Sequence, residues 1–181
     1  MPAVVVVPLL LTSGYHARVD IPTMVQGVDG VVVTAALGPD RAIARALLRR
    51  LEAAGVADSE DVVLGAAGSA DEDALRDVEE AAALLAALRS GAVDVGYVTG
   101  AGPRLDTVLA GTGSAARAQN GAAAIATYLL ADGSMADAIR DVAADRQRAG
   151  GIALTEPLGA APEVVDLVTR RWFDALRSLQ E

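Results

Sequence analysis

Apolar runs and helical stripes alternate along this chain. Residues 3–11 form an unbroken apolar run rich in β-branched side chains, the pattern of a strand buried on both faces. Thr12, Ser13 and Gly14 break it, His16 follows, and Asp20 stands where it can cap a short helix running to about Gly27, with Pro22 in its first turn. Residues 30–37 read as a second buried strand. A Gly38-Pro39-Asp40 turn then leads into a helix whose apolar positions Ile43, Leu47, Leu48 and Leu51 are interleaved with Arg45, Arg49 and Arg50, with Gly55 at its end. A third strand is predicted over 61–67. Ser69-Ala-Asp-Glu72 has the capping-box spacing and opens a helix to about Leu88. Strands at 92–98, 121–130 and 151–155 follow, alternating with helices from Pro103, from Ser134 to about Arg148, and from Pro162 to Leu179. Such alternation predicts an α/β protein with parallel sheets flanked by helices.

The pattern repeats. Leu10-Leu-Thr-Ser-Gly-Tyr-His-Ala17 aligns with Leu129-Leu-Ala-Asp-Gly-Ser-Met-Ala136, an offset of 119 residues with Gly14 on Gly133. Leu37-Gly38 aligns with Leu158-Gly159, and Arg49-Arg50 with Arg170-Arg171, both at an offset of 121. His16 is replaced by Met135 in the second copy. The copies are unequal: 72 residues separate Asp61 from Gly133, whereas 13 precede Gly14, so the first copy is shorter by about 59, enough for two βα units. The predicted division is therefore 1–57, the C-terminal part of a first lobe, and 58–181, a complete second lobe.

Composition narrows the chemistry. Of 181 residues 52% are apolar and 3% aromatic, so the core is built from Ala, Val and Leu. Cysteine is absent, which excludes disulfides, thiolate nucleophiles and Cys-ligated metal sites and is compatible with a cytoplasmic location. All 15 basic residues are arginine, which excludes a Walker loop, a Schiff-base lysine and a lysine base. The net charge of −9 argues against nucleic acid or an anionic membrane as partner. The run 3–11 is too short to span a bilayer and lacks the flanks of a signal peptide.

Nucleotide motifs fail on context. Gly111-Thr-Gly-Ser-Ala-Ala116 has dinucleotide-fingerprint letters but follows a predicted helix, and Gly100-Ala-Gly102 follows a strand but runs into Pro103. Ser13 does not sit on a nucleophile elbow. Gly68-Ser69 can offer backbone N–H groups at a helix start, although Asp71 and Glu72 follow at once and favour a capping role. That leaves His16, at the carboxyl end of the first strand, where open α/β sheets bind ligands. Two readings stay open from position alone: a loop histidine without a role, or a ligand for a divalent Fe, Co, Ni or Zn ion whose other ligands come from elsewhere.

The segment from Val6 to Pro22, with Gly14-Tyr-His16 and Asp20-Ile-Pro22, strongly resembles the second signature of the sirohydrochlorin chelatases, the small class II chelatases of cobalamin and siroheme synthesis. Ala36-Leu-Gly-Pro-Asp40, Leu64-Gly-Ala-Ala-Gly-Ser69 and the stretch from Leu129 to Gly133 resemble the family's two-lobed form. The resemblance implies a chelatase-like fold of two pseudo-repeated lobes, the first incomplete. It implies ATP-independent insertion of Co²⁺ or Fe²⁺, the metal being a substrate, into a tetrapyrrole rich in carboxylates, with no nucleotide. His16 corresponds to a metal-site histidine and is the catalytic candidate. Ser13, Gly14, Tyr15, Arg18, Gly68 and Ser69 are candidates for holding the macrocycle. The resemblance places the family's other histidine in a His-Gly-Ser motif at the end of a first strand that this sequence does not contain, and the counterpart of that motif in the second lobe, Ala67-Gly68-Ser69, carries alanine. The expectations are that the reading frame continues upstream to supply that histidine, and that the exposed sheet edge of an incomplete lobe favours a homo-oligomer. A non-catalytic tetrapyrrole- or metal-binding remnant is the alternative.

Overall fold

The computed structural model describes residues 4–111, 124–148 and 151–179. Within them lie two parallel sheets. The first pairs β1 (Val4–Val6) with β2 (Val31–Val33), Val5 opposite Val32. The second has the order β4-β3-β5-β6, built from β3 (Val62–Ala66), β4 (Val93–Tyr97), β5 (Ala124–Thr127) and β6 (Ala153–Leu154). Between β1 and β2 lies the short helix α1 (Ile21–Met24). Helix α2 (Arg41–Ala53) follows β2, α3 (Glu72–Ala86) follows β3, α4 (Leu105–Leu109) follows β4, α5 (Ser134–Arg148) follows β5, and α6 (Pro162–Ser178) follows β6. The Gly111–Ala116 motif beyond Gly111 and the start of the predicted fifth strand lie outside the described residues.

The first strand is far shorter than its apolar run. Pro8 has no N–H to give a ladder, and beyond it the chain bonds outward. The carbonyl of Leu10 accepts from Leu37 N at 2.8 Å, and the carbonyl of Leu11 accepts from the Tyr128 hydroxyl at 2.9 Å. The second sheet closes in the same manner, Leu158 N donating to Leu129 O at 2.8 Å. These are the repeat-related positions, and both Leu37 and Leu158 are fully buried.

The chain passes from one sheet to the other between α2 and β3, but the core is continuous across that passage. Ile43, Leu47 and Leu51 of α2 pack with Val62, Leu64 and Ala124 of the second sheet and with Val78 and Leu85 of α3. Helix α6 in turn packs beside α2 and against β1. The arginine pairs seal this exchange reciprocally. Arg49 bonds Glu163 at 3.0 Å and Arg50 donates to Leu158 O at 3.0 Å, while Arg170 bonds Asp40 at 3.1 Å. Asp40 also caps α2, accepting from Ala42 N. A second cluster, with Val63, Ile125 and Ile139, fills the opposite face of the large sheet beneath α4 and α5.

Two buried tyrosines make the fold sensitive to alkali. Burial, and then the charge of Glu79, pushes the Tyr97 phenol up to about 12 from an ordinary 10.0. Burial, then Asp77 and Glu80, raises Tyr128 further. The folded state thus keeps phenolic protons that the unfolded chain releases. The contribution of these phenols to stability is fully present below about pH 10 and is lost as the pH rises from 10 through 12, through the raised value of Tyr97. Denaturant midpoints measured across that window should drop in the native chain and drop less in Tyr97→Phe; identical pH slopes would refute the assignment.

Candidate functional site

The carboxyl ends of β1 and of the central strands of the large sheet open onto one cleft. One part, of about 190 Å³, is bordered by Leu9 to Thr12, by Ala66 to Ser69, and by Tyr97 and Tyr128. The adjoining part, of about 260 Å³, is bordered by Thr12, Gly14, Tyr15, His16, Gly68 and Ser69. Folding therefore brings Gly14, Tyr15 and His16 together with Gly68 and Ser69, more than fifty positions away in the chain. Ser13 and Arg18 flank the same segment.

His16 begins a π-helical turn, His16–Asp20, that runs directly into α1. The wide turn has a covalent cause. Pro22 lacks the N–H that would bond four residues back, and its ring crowds that carbonyl, so the helix widens and Ile21 N reaches five back to His16 O. This corrects the expected cap. Asp20 lies inside the continuous helical segment, with helical backbone angles, and makes no side-chain cap bond. Its carboxylate instead meets His16 Nδ1 at 2.5 Å. The imidazole is 80% exposed, stands edge-on to Tyr15, and keeps Nε2 as its other nitrogen.

The segment before His16 is clamped to α3. Ser13 donates both its N–H and its hydroxyl to one oxygen of Asp77, at 2.5 and 2.6 Å. A Cβ on Gly14 would come within 3.2 Å of Ala74 Cβ, so the segment lies directly on the helix. Arg18 bonds Asp71 at 2.7 Å and also Asp73. The Ser13 N–H and the Arg18 guanidinium are thus both engaged by carboxylates at α3 and its cap.

The opposite rim is a tight turn. Gly68 has φ +97°, and a Cβ there would lie 1.9 Å from Thr99 O. Thr99 donates both its N–H and its hydroxyl to Ala67 O, and Ala101 N donates to Ser69 O. The cap of α3 is Asp71, which accepts from Asp73 N, and not Ser69, whose hydroxyl accepts from Asp71 N. Asp71 has the extended backbone of an N-cap, φ −88° and ψ 118°, and the Ser69 hydroxyl is already engaged by Asp71 N, so the cap falls two residues on from the capping-box expectation.

Sequence reasoning missed Asp77, Asp71 as the partner of Arg18, and the Tyr128–Leu11 link. One signal was present: Asp77 directly precedes Val78, a buried position of α3, so it sits at the edge of the apolar stripe. Asp77→Ala is expected to cost about 1–3 kcal/mol, because Ser13 loses a charged acceptor for two donors. Asp77→Asn, which retains an acceptor oxygen, should cost less, and equal urea midpoints for both would contradict this account. Among the described residues no group of three or more His, Cys, Asp or Glu side chains converges to hold a metal ion, and no helix is long and apolar enough to cross a membrane.

The geometry defines a class: a parallel α/β protein of two sheets, with one carboxylate-backed histidine in a cleft at the strand ends. The chain matches the CbiX family over residues 1–54 and 61–175, and it belongs to that family. No curated protein sequence matches it significantly. Among solved structures it is similar to SirB from Bacillus subtilis with Fe³⁺, at 26% identity and a TM-score of 0.81, covering 94% of this chain and 70% of that one. It is also similar to the sirohydrochlorin chelatase SirB from Bacillus subtilis subspecies spizizenii in complex with cobalt, at 25% identity and a TM-score of 0.69, covering 92% of this chain and 66% of that one. CbiX, described as the terminal enzyme for biosynthesis of siroheme in denitrifying bacteria, shares the fold at 18% identity and a TM-score of 0.71, over 96% of this chain and 76% of that one.

Proposed function

We propose that this chain inserts a divalent metal, Co²⁺ or Fe²⁺, into sirohydrochlorin without ATP, within cytoplasmic cobalamin or siroheme synthesis. The observation that carries the reading is His16, an exposed imidazole in the cleft whose Nδ1 is held by Asp20 and whose Nε2 is left to bind. The similar structures with iron and cobalt support it.

The chemistry exchanges charge for charge. A dication that enters the macrocycle replaces two pyrrole N–H protons, so both must find a base. His16 Nε2 takes the ion in place of one of its waters. As the ion passes to the pyrrole nitrogens, Nε2 regains its lone pair and can accept one proton, while the other leaves to water. Gly14, Tyr15, Gly68 and Ser69 form the walls against which the ring lies. Arg18 and the Ser13 N–H reach substrate carboxylates by exchanging them for Asp73, Asp71 or Asp77. The imidazole and the ion's own waters complete a loose site, which suits an ion that must be released.

The chain is mixed anaerobically with sirohydrochlorin and Co²⁺ or Fe²⁺, and the free-base absorption is followed. Insertion faster than the protein-free rate supports the proposal. Macrocycle binding without insertion supports the second reading, a non-catalytic tetrapyrrole- or metal-binding protein, which Ala67, at the second-lobe counterpart of the family's other histidine, favours. An absence of both overturns the two readings together.

A further inference from the structure

We infer that Asp20 is a positioning residue for His16: its carboxylate holds Nδ1 as the protonated nitrogen and so makes Nε2 the metal-binding atom. The inference rests on the proposed metal role of His16.

Three observations converge on Asp20. Its carboxylate lies 2.5 Å from Nδ1, within hydrogen-bond reach, on the same helical segment four residues on. Its obvious local alternative is closed, because the π-helical turn ahead of Pro22 places Asp20 inside the helical segment, where it caps nothing. The nearby cation on the same turn, Arg18, is engaged by Asp71 and Asp73 at the start of α3. Among the described residues, the partner left to this carboxylate is the imidazole.

The consequence follows from imidazole chemistry. A neutral imidazole has one N–H and one lone pair, and in water the unrestrained ring favours the Nε2–H form, which turns a proton towards any ion approaching Nε2. A carboxylate on Nδ1 reverses that preference, fixes the ring plane, and makes Nε2 the better donor. A site with a single imidazole depends on this more than one with several.

His16 is the only histidine, so its ring signals need no assignment. Imidazole ¹⁵N shifts of the metal-free chain and direct Co²⁺ titration are compared at one pH for the native chain and for Asp20→Ala, Asp20→Asn and Asp20→Glu, with His16→Ala as control. The native chain should show the Nδ1–H form. Asp20→Ala should revert mainly to Nε2–H and bind Co²⁺ about 10–100-fold more weakly, at a nearly unchanged melting temperature. Asp20→Asn, whose amide oxygen still accepts from Nδ1–H, should fall between, and Asp20→Glu should recover most of the affinity. Native tautomer and native affinity in Asp20→Ala would overturn the inference while His16→Ala still loses Co²⁺. If His16→Ala binds Co²⁺ as the native chain does, the metal reading of His16 falls, and the claim that Asp20 selects a metal-binding nitrogen falls with it.

Discussion

Replacing His16 by alanine is expected to abolish metal insertion while leaving the fold intact. The two effects separate because of where the side chain stands. It is 80% exposed, contributes nothing to either apolar cluster, and bonds within the described residues to Asp20 four positions on. Truncation of such a group changes stability by no more than about 0.5 kcal/mol. The chemical loss should be at least about a hundredfold, since the same imidazole holds the ion and takes up a proton. Met135 supplies an internal control. It occupies the repeat-related position in α5, is half-buried against the second apolar cluster, and has no titratable group. Met135→Ala should cost some stability and leave insertion measurable. The decisive pair of measurements is the insertion rate and the thermal midpoint on the same preparations. A His16→Ala protein that inserts at the native rate removes the metal-site assignment, and one that unfolds shows the histidine to be structural.

Gly68→Ala is expected to be the most damaging single methyl at the site. Two independent penalties meet there. The backbone at φ +97° lies in a region that side chains rarely adopt, and the added Cβ would sit 1.9 Å from Thr99 O and 2.8 Å from Thr99 C. Neither atom belongs to a flexible side chain, so the loop from Thr99 to Ala101 must move. That movement breaks the Thr99–Ala67 and Ala101–Ser69 bonds that hold the cleft rim. The combined cost is on the order of 3 kcal/mol, a large share of the stability of a domain this size. A comparison with Gly27→Ala isolates the steric part. Gly27 also has positive φ, at +79°, but a Cβ added there would meet nothing within 4 Å, so only the backbone penalty applies. Urea midpoints that fall equally in both variants would show that the Thr99 contact carries no weight.

Much of the architecture was legible because it is written locally. Val-rich runs bounded by Gly and Asp predict strands, and the stripe Ile43, Leu47, Leu51 predicts a helix; β2, β3 and α2 form there. His16 stands out by uniqueness and by following a strand, and it does lie in the cleft. The unequal repeat was visible as spacing, and the paired closures at Leu37–Leu10 and Leu158–Leu129 occupy the same related positions. What the amino-acid order by itself determined was therefore the alternation of elements, their parallel pairing, and the place of the single imidazole.

Tertiary structure decided the partners. Asp20 has the same spacing whether it caps a helix or backs a histidine, and the wide turn before Pro22 selects the second. Ser69 and Asp71 are both good caps, and the role falls to Asp71, whose backbone is extended and whose carboxylate accepts from Asp73 N, while the Ser69 hydroxyl is taken up by Asp71 N. Ser13 and Asp77 are 64 residues apart, a separation over which no local propensity acts. Helices α2 and α6 both carry an arginine pair and both join the continuous core, yet α2 packs on β5 while α6 lies against β1. Periodicity says which face of an element is apolar, but only the closed fold determines which distant surface that face meets, and so which carboxylate reaches Ser13, Arg18 or His16.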